Sequence, residues 1–365
     1  MISRRRFVLK SSALALGVPL LSRANFSQVQ TTYSVRAADL VQQSTVIDML
    51  GLLTLDYRKM SMWQSEPTRF GRDDFLRLKE SGITVFHPAV GYVAGDIYAE
   101  SRRDITGWNT FLSAHPEAFL RVDAPSDFAR AKASGKIGIV IGQQNSEHFR
   151  TVDDVDQFYA LGQRVSQLTY DSNRIGGGCS DVHNPGLSEY GGQVVARMNQ
   201  LGMAIDVSHC SERTTIDAIE ASRKPVLITH SNCRALVPGS VRCKTDEAIR
   251  RMAKKGGVIG ITMVRGFVRS RGPATIEDVL DHIDHVARLV GAEHVGVGTD
   301  VDLDGRDLHS THKLDLDGID YRKKIYDLTE GLLLRNYSDR NIELILGGNF
   351  QRALAEIWAA PAVSA

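Results

Sequence analysis

Two histidines stand at matching places in a strand–helix–strand pattern. His209 follows the apolar, β-branched run Ala204-Ile205-Asp206-Val207, and His230 follows Val226-Leu227-Ile228-Thr229. An amphipathic helix is predicted between them, over about 212–222. Each imidazole therefore sits at the carboxyl end of its own strand. A third strand-end group of the same kind is Asp300, after Val295-Gly296-Val297-Gly298-Thr299. Two neutral nitrogens and a carboxylate oxygen are the donor types of an open zinc site, in which a metal-bound water becomes acidic enough to attack an amide. Gln143, Gln144 and Tyr170 complete the polar strand-end set.

Such a set needs a scaffold that brings strand ends together. Eight short apolar runs alternate with helical patterns: 46–50, 83–86, 137–141, 165–169, 204–207, 226–229, 258–263 and 295–299. That alternation predicts an α/β fold, a (β/α)8 TIM barrel, whose strands deliver their polar ends to one face. An open doubly wound sheet is the competing arrangement, but no Gly-rich phosphate turn follows an early strand.

The 365 residues carry a net charge of +1, which disfavours nucleic acid as a partner. Ser3-Arg4-Arg5-Arg6-Phe7, an apolar run to Leu21 and Ser22-Arg23-Ala24 read as a twin-arginine-type signal peptide over residues 1–24. It predicts engagement of the twin-arginine export machinery and a periplasmic or exported location. Residues 25–365 are then expected to form a single barrel domain. Of the four cysteines, Cys210 and Cys233 read as small buried residues. A homodimer stays open beside a monomer.

Several motifs resemble one family. Ile205-Asp206-Val207-Ser208-His209-Cys210-Ser211, Thr229-His230-Ser231-Asn232, Gly296-Val297-Gly298-Thr299-Asp300-Val301-Asp302, Gly186-Leu187-Ser188 with Gly191, and Gly347-Gly348-Asn349-Phe350 are similar to those of the membrane (renal-type) dipeptidases, the M19 metallopeptidases. The similarity runs from about residue 46 to 358 and implies a barrel of the amidohydrolase kind. It implies zinc-ligand roles for His209 and His230, and a metal-ligand and proton-transfer role for Asp300. It places Arg242, one residue out of register, near the arginine that receives the substrate carboxylate.

Four positions depart from the family pattern. Leu50 and Leu52 stand where a His-x-Asp pair is expected, and Gln144 stands where a glutamate bridges two ions. A neutral amide is a poor bridge between dications. Tyr170 replaces a histidine that would polarise the substrate, though a phenol also donates a hydrogen bond. Glu147 and His148 are considered as replacement ligands, with an exposed loop as the preferred reading. The expected protein is an exported dipeptidase-like metallohydrolase using zinc, with one ion or none, on a dipeptide or similar small amide. Asp300, Tyr170 and Gln144 are its catalytic candidates. The alternatives are an inactive barrel binding a peptide-like ligand, or a metal-independent enzyme acting on an exported metabolite.

Overall fold

The structure, a computed structural model, describes residues 33–359; the expected signal peptide lies outside the described residues. Ten short strands run in parallel: β1 Ile47–Asp48, β2 Val85–Phe86, β3 Phe119–Arg121, β4 Ile137–Ile139, β5 Gly142–Gln143, β6 Val165–Gln167, β7 Ala204–Asp206, β8 Ile228–Ser231, β9 Ile259–Ile261 and β10 Val295–Val297. Hydrogen bonding orders them β3-β4-β2-β1-β10-β9-β8 and β5-β6-β7. Single parallel bridges, Asp206 to Leu227 and Val90 to Gln143, join the two sheets into a ring.

β4 and β5 are successive halves of one strand. Its first half pairs with β3 and β2, and its second half with β6. Counted that way the ring has eight staves, and they are the eight apolar runs of the sequence. The fold is thus the expected (β/α)8 barrel, with β3 added outside. The strands are buried on both faces, which is why they read as nearly continuous Val/Ile runs.

Helices fill the connections. Ser188 caps the helix Glu189–Leu201, and Ser211 caps Glu212–Ala221 by accepting from the Thr214 N–H. Two helices were not anticipated, Val35–Gln43 and Tyr57–Ser65. The C-terminal helix Asn349–Trp358 closes the amino-terminal end of the barrel. Phe350, Ala353, Leu354 and Ile357 pack there against Ile47, Val85, Val165, Ala204 and Val258. Asn349 fixes that helix by donating to the carbonyls of Ala292 and Val295.

β8 departs from regular pairing with β9, its register shifting between Ile228 and Ser231. The Thr229 carbonyl is pressed against β10, and a Cβ on Gly298 would lie 1.8 Å from that oxygen. Only glycine allows this approach.

A candidate hydrolytic site at the barrel mouth

His209 and His230 meet. Their Nε2 atoms are 3.0 Å apart, His230 fully buried and His209 half-buried. The arrangement is built from Asp206 upward. Its buried carboxylate accepts from the Ser208 and Thr229 backbone N–H groups, from the Ser208 hydroxyl at 2.5 Å and from the Thr229 hydroxyl at 2.7 Å. The Thr229 proton is thus committed to Asp206. Its oxygen, 2.8 Å from His230 Nδ1, must accept from that nitrogen. The relay assigns the ring proton to Nδ1 and leaves Nε2 as a bare lone pair, the form a metal ligand needs.

His209 is held from the other side by the glycine loop. Its carbonyl accepts from the Cys179 N–H at 2.7 Å, and the Ser211 N–H donates to the Gly177 carbonyl. A Cβ on Gly177 or Gly178 would meet Pro185 or the Asp171 backbone at under 3 Å, so the loop lies against its neighbours as only glycine permits. The Tyr170 ring stacks on His209, centroids 4.2 Å apart and planes 22° from parallel. Burial, and then the charge of Arg242, hold both imidazoles well below their ordinary range. Both are neutral near pH 7.

Arg242 underlies the pair. Its Nη1 donates to the Ser208 carbonyl and its Nη2 to the His230 carbonyl, each at 2.8 Å. Nη1 also reaches the Ser231 hydroxyl. The residue is 6% exposed, and its Nε is enclosed without a partner. The guanidinium therefore points into the protein and pins the backbone beside each histidine.

Asp300 lies across the mouth with a left-handed backbone, φ 57°. Its N–H donates to the Leu50 carbonyl. Arg306 grips it twice, Nε on the carbonyl at 2.7 Å and Nη2 on Oδ1 at 2.5 Å. Burial pushes the Asp300 carboxyl up, and Arg306 opposes the rise. Leu50 and Leu52 flank this segment, both buried. Gln144 donates its amide to the Ala89 carbonyl at 2.9 Å, whereas Gln143 turns away and donates to Asp104.

One expectation changes. His148 is not an exposed loop residue: it is fully buried, with Nδ1 on the Asn145 carbonyl and Nε2 at 3.1 Å from the Gln163 amide. Burial pushes its pKa down to about 4. Glu147 pairs with Arg174. Neither approaches the histidine pair as a replacement ligand. Asp302, the last residue of the Gly296–Asp302 motif, is fully buried and accepts from the N–H groups of Leu55, Asp304 and Gly305. Cys210 and Cys233 are buried free thiols, as expected.

The sequence reading missed His87, Tyr57 and Arg306. His87 directly follows β2, so the strand-end rule that found His209 would have found it. It is buried, with Nδ1 on the Val140 carbonyl, and burial pushes its pKa down. Tyr57 opens the helix Tyr57–Ser65 and Arg306 lies in the loop after β10, and no local pattern announces where either is carried.

A two-ion centre does not fit these residues. Its second half would rest on Leu50, Leu52 and Gln144, which offer no anionic oxygen. One ion fits the imidazole pair better. Two nitrogens on a tetrahedral zinc stand about 3.3 Å apart, from bonds of about 2.0–2.1 Å, against 3.0 Å here. The third protein ligand of a catalytic zinc is not assembled. Among the described residues no three His, Cys, Asp or Glu side chains converge for a metal.

The family model of membrane dipeptidases, peptidase family M19, matches residues 35–363. The chain belongs to this family. Dipeptidase tcpJ of Claviceps purpurea is 32% identical over 237 residues, covering 63% of this chain and 53% of that protein. Dipeptidase verJ of Clonostachys rogersoniana is 34% identical, covering 61% of this chain and 56% of that one. The match thus spans about half the length of these curated relatives. Among solved structures, an amidohydrolase from Pseudomonas aeruginosa superposes with TM-score 0.77 at 28% identity, covering 88% of this chain and 99% of that one. For this M19 member the barrel is the family's, while three of the expected ligand positions are not.

Proposed function

We propose that this M19 protein is an exported dipeptidase-like hydrolase that cleaves a dipeptide or similar small amide with at most one metal ion, zinc in the first instance. The observation that carries this reading is the convergence of the His209 and His230 Nε2 atoms at the barrel mouth, the His230 nitrogen left bare by the Thr229–Asp206 relay. His209 and His230 would hold the ion, with Asp300 or a water completing it. When bound, it would supply a Lewis acid and an acidified water. The remaining steps belong to the chain. Asp300 keeps Oδ2 clear of Arg306 and takes the proton released by the attacking water. The Tyr170 hydroxyl and the Gln144 amide are the donors available for the oxyanion. The buried leucines exclude water from one side.

The test is metal analysis of the purified mature protein together with turnover on a dipeptide panel. We expect no more than one equivalent of metal, and hydrolysis that His230→Ala reduces at least a hundredfold. A protein that takes up no zinc, and is inert with added zinc, manganese or cobalt, would rule the reading out. In that case the second reading gains, a barrel that binds a peptide-like ligand without cleaving it. Leu50, Leu52 and the Asp300–Arg306 pair favour it, and it requires that His209→Ala leave ligand affinity unchanged. For the location, we propose twin-arginine export. Among the described residues no helix is long and apolar enough to cross a membrane.

A further inference from the structure

The substrate of the proposed reaction has a free carboxylate, and the mouth offers two guanidinium groups for it. Arg242 is committed. Three acceptors hold its Nη1 and Nη2, and it is buried. To receive a carboxylate it would have to abandon the Ser208 and His230 carbonyls, and with them the placement of both imidazoles.

Arg306 is differently disposed. Its Nε and Nη2 close on one residue, Asp300, through the backbone carbonyl and Oδ1. Nη1 has no acceptor among the described residues. The side chain is 24% exposed, and Nη1 is not among the enclosed polar atoms that lack a partner. The Asp300 it grips lies two residues beyond Gly298, where an added Cβ would stand 3.2 Å from the His230 Cα, so Arg306 is held beside the histidine pair. The charge balance agrees. Leu52 and Gln144 stand where the family pattern has two negative groups, leaving the carboxylates of Asp300 and the buried Asp206 against Arg242, Arg306 and the buried Lys244. The mouth has a spare positive charge, and an anionic end group is what would neutralise it. A guanidinium already anchored on one edge presents its other edge with little further loss of side-chain freedom.

We propose that Arg306, rather than Arg242, receives the C-terminal carboxylate of the dipeptide-like substrate, and that Arg242 is a positioning residue for the histidine pair. This rests on the hydrolase reading above. The test compares L-Ala-D-Ala with its C-terminal amide, in turnover and in calorimetric binding, for wild type, Arg306→Gln, Arg306→Lys and Arg242→Lys. The wild type should prefer the free acid by about 10- to 100-fold, the size of one charge-assisted pair. Arg306→Gln should erase that preference, read as the acid-to-amide ratio within the variant, and Arg306→Lys should keep part of it. Arg242→Lys should lower turnover on both compounds alike and leave their ratio unchanged. Thermal melting of each variant identifies any loss that is only a loss of fold, and Arg306→Lys keeps the comparison open if Arg306→Gln unfolds. An acid preference that survives Arg306→Gln, or one that Arg242→Lys abolishes, would overturn the assignment. A wild type that binds and cleaves neither compound removes the hydrolase reading beneath it, a result distinct from binding both equally, which removes the Arg306 assignment alone.

Discussion

At the scale of single residues, His230 depends on a hydroxyl it does not share with any ligand. Thr229 spends its proton on Asp206 and so can only accept from Nδ1. Valine at position 229 keeps the shape and removes the relay. Thr229→Val should weaken zinc binding about 10- to 100-fold, the usual cost of a lost outer partner, while the far-ultraviolet circular dichroism stays unchanged; equal zinc affinity in calorimetry would show that the ring is held by packing alone. The erased half of the centre allows a converse experiment. Leu50→His, Leu52→Asp and Gln144→Glu together should raise zinc uptake by one equivalent. Without metal, the triple variant buries an unpaired carboxylate and should melt well below wild type, recovering when zinc is added. A melting point indifferent to zinc would mean that these side chains do not share one site. Residue types and strand-end spacing were enough to find the histidine pair. What they could not show is where Arg242 points, because its partners are backbone carbonyls brought near by folding.

Between elements, the helix Ile97–Ala114 is keyed to the barrel by a buried carboxylate. Asp104 accepts from Gln64 and from Gln143, and burial pushes it up to about 6 from 3.8. The folded chain therefore keeps a proton there, between about pH 4 and 6, that the unfolded chain has already lost. That contribution to stability is fully present below about pH 4. It is lost as the pH rises through 6, by roughly 3 kcal/mol. Asp104→Asn stays neutral throughout, so the melting point of the variant relative to wild type should climb between pH 4 and 7. A difference that does not change with pH would exclude this carboxyl as the cause. Gly298 makes a second keyed contact. Gly298→Ala drives a methyl into the Thr229 carbonyl and should cost about 1–3 kcal/mol or more in denaturant unfolding. It should also disturb His230, whose Cα would lie 3.2 Å from the new methyl.

For the molecule as a whole, the barrel was legible because the staves are short apolar runs closed by turn residues, and several crossover helices open on a Ser or Thr cap. β3 escaped because Phe119–Arg121 is too brief to stand out beside the helices around it. The helix Tyr57–Ser65 escaped because its apolar residues are few, with only Trp63 buried. Closure of the barrel floor was legible only as the motif Gly347-Gly348-Asn349-Phe350. Its physical content is the fully buried Phe350 ring, which a Cβ on Gly296 would meet at 2.5 Å. Phe350→Ala should cost about 3–5 kcal/mol. The melting point should fall accordingly, with the histidine pair at the opposite end the last part to feel it.

The pairing of Asp300 with Arg306 bears on how the protein meets its surroundings. A bound ion must be found, competes with protons for its ligands, and is lost to any stronger chelator. A guanidinium is made with the chain and leaves only when the chain is degraded. The Asp300 carboxylate thus emerges from the ribosome with its counter-charge attached. This side of the mouth matures without waiting for a scarce element. It keeps its charge pattern in a habitat stripped of zinc as readily as in one that is rich in it.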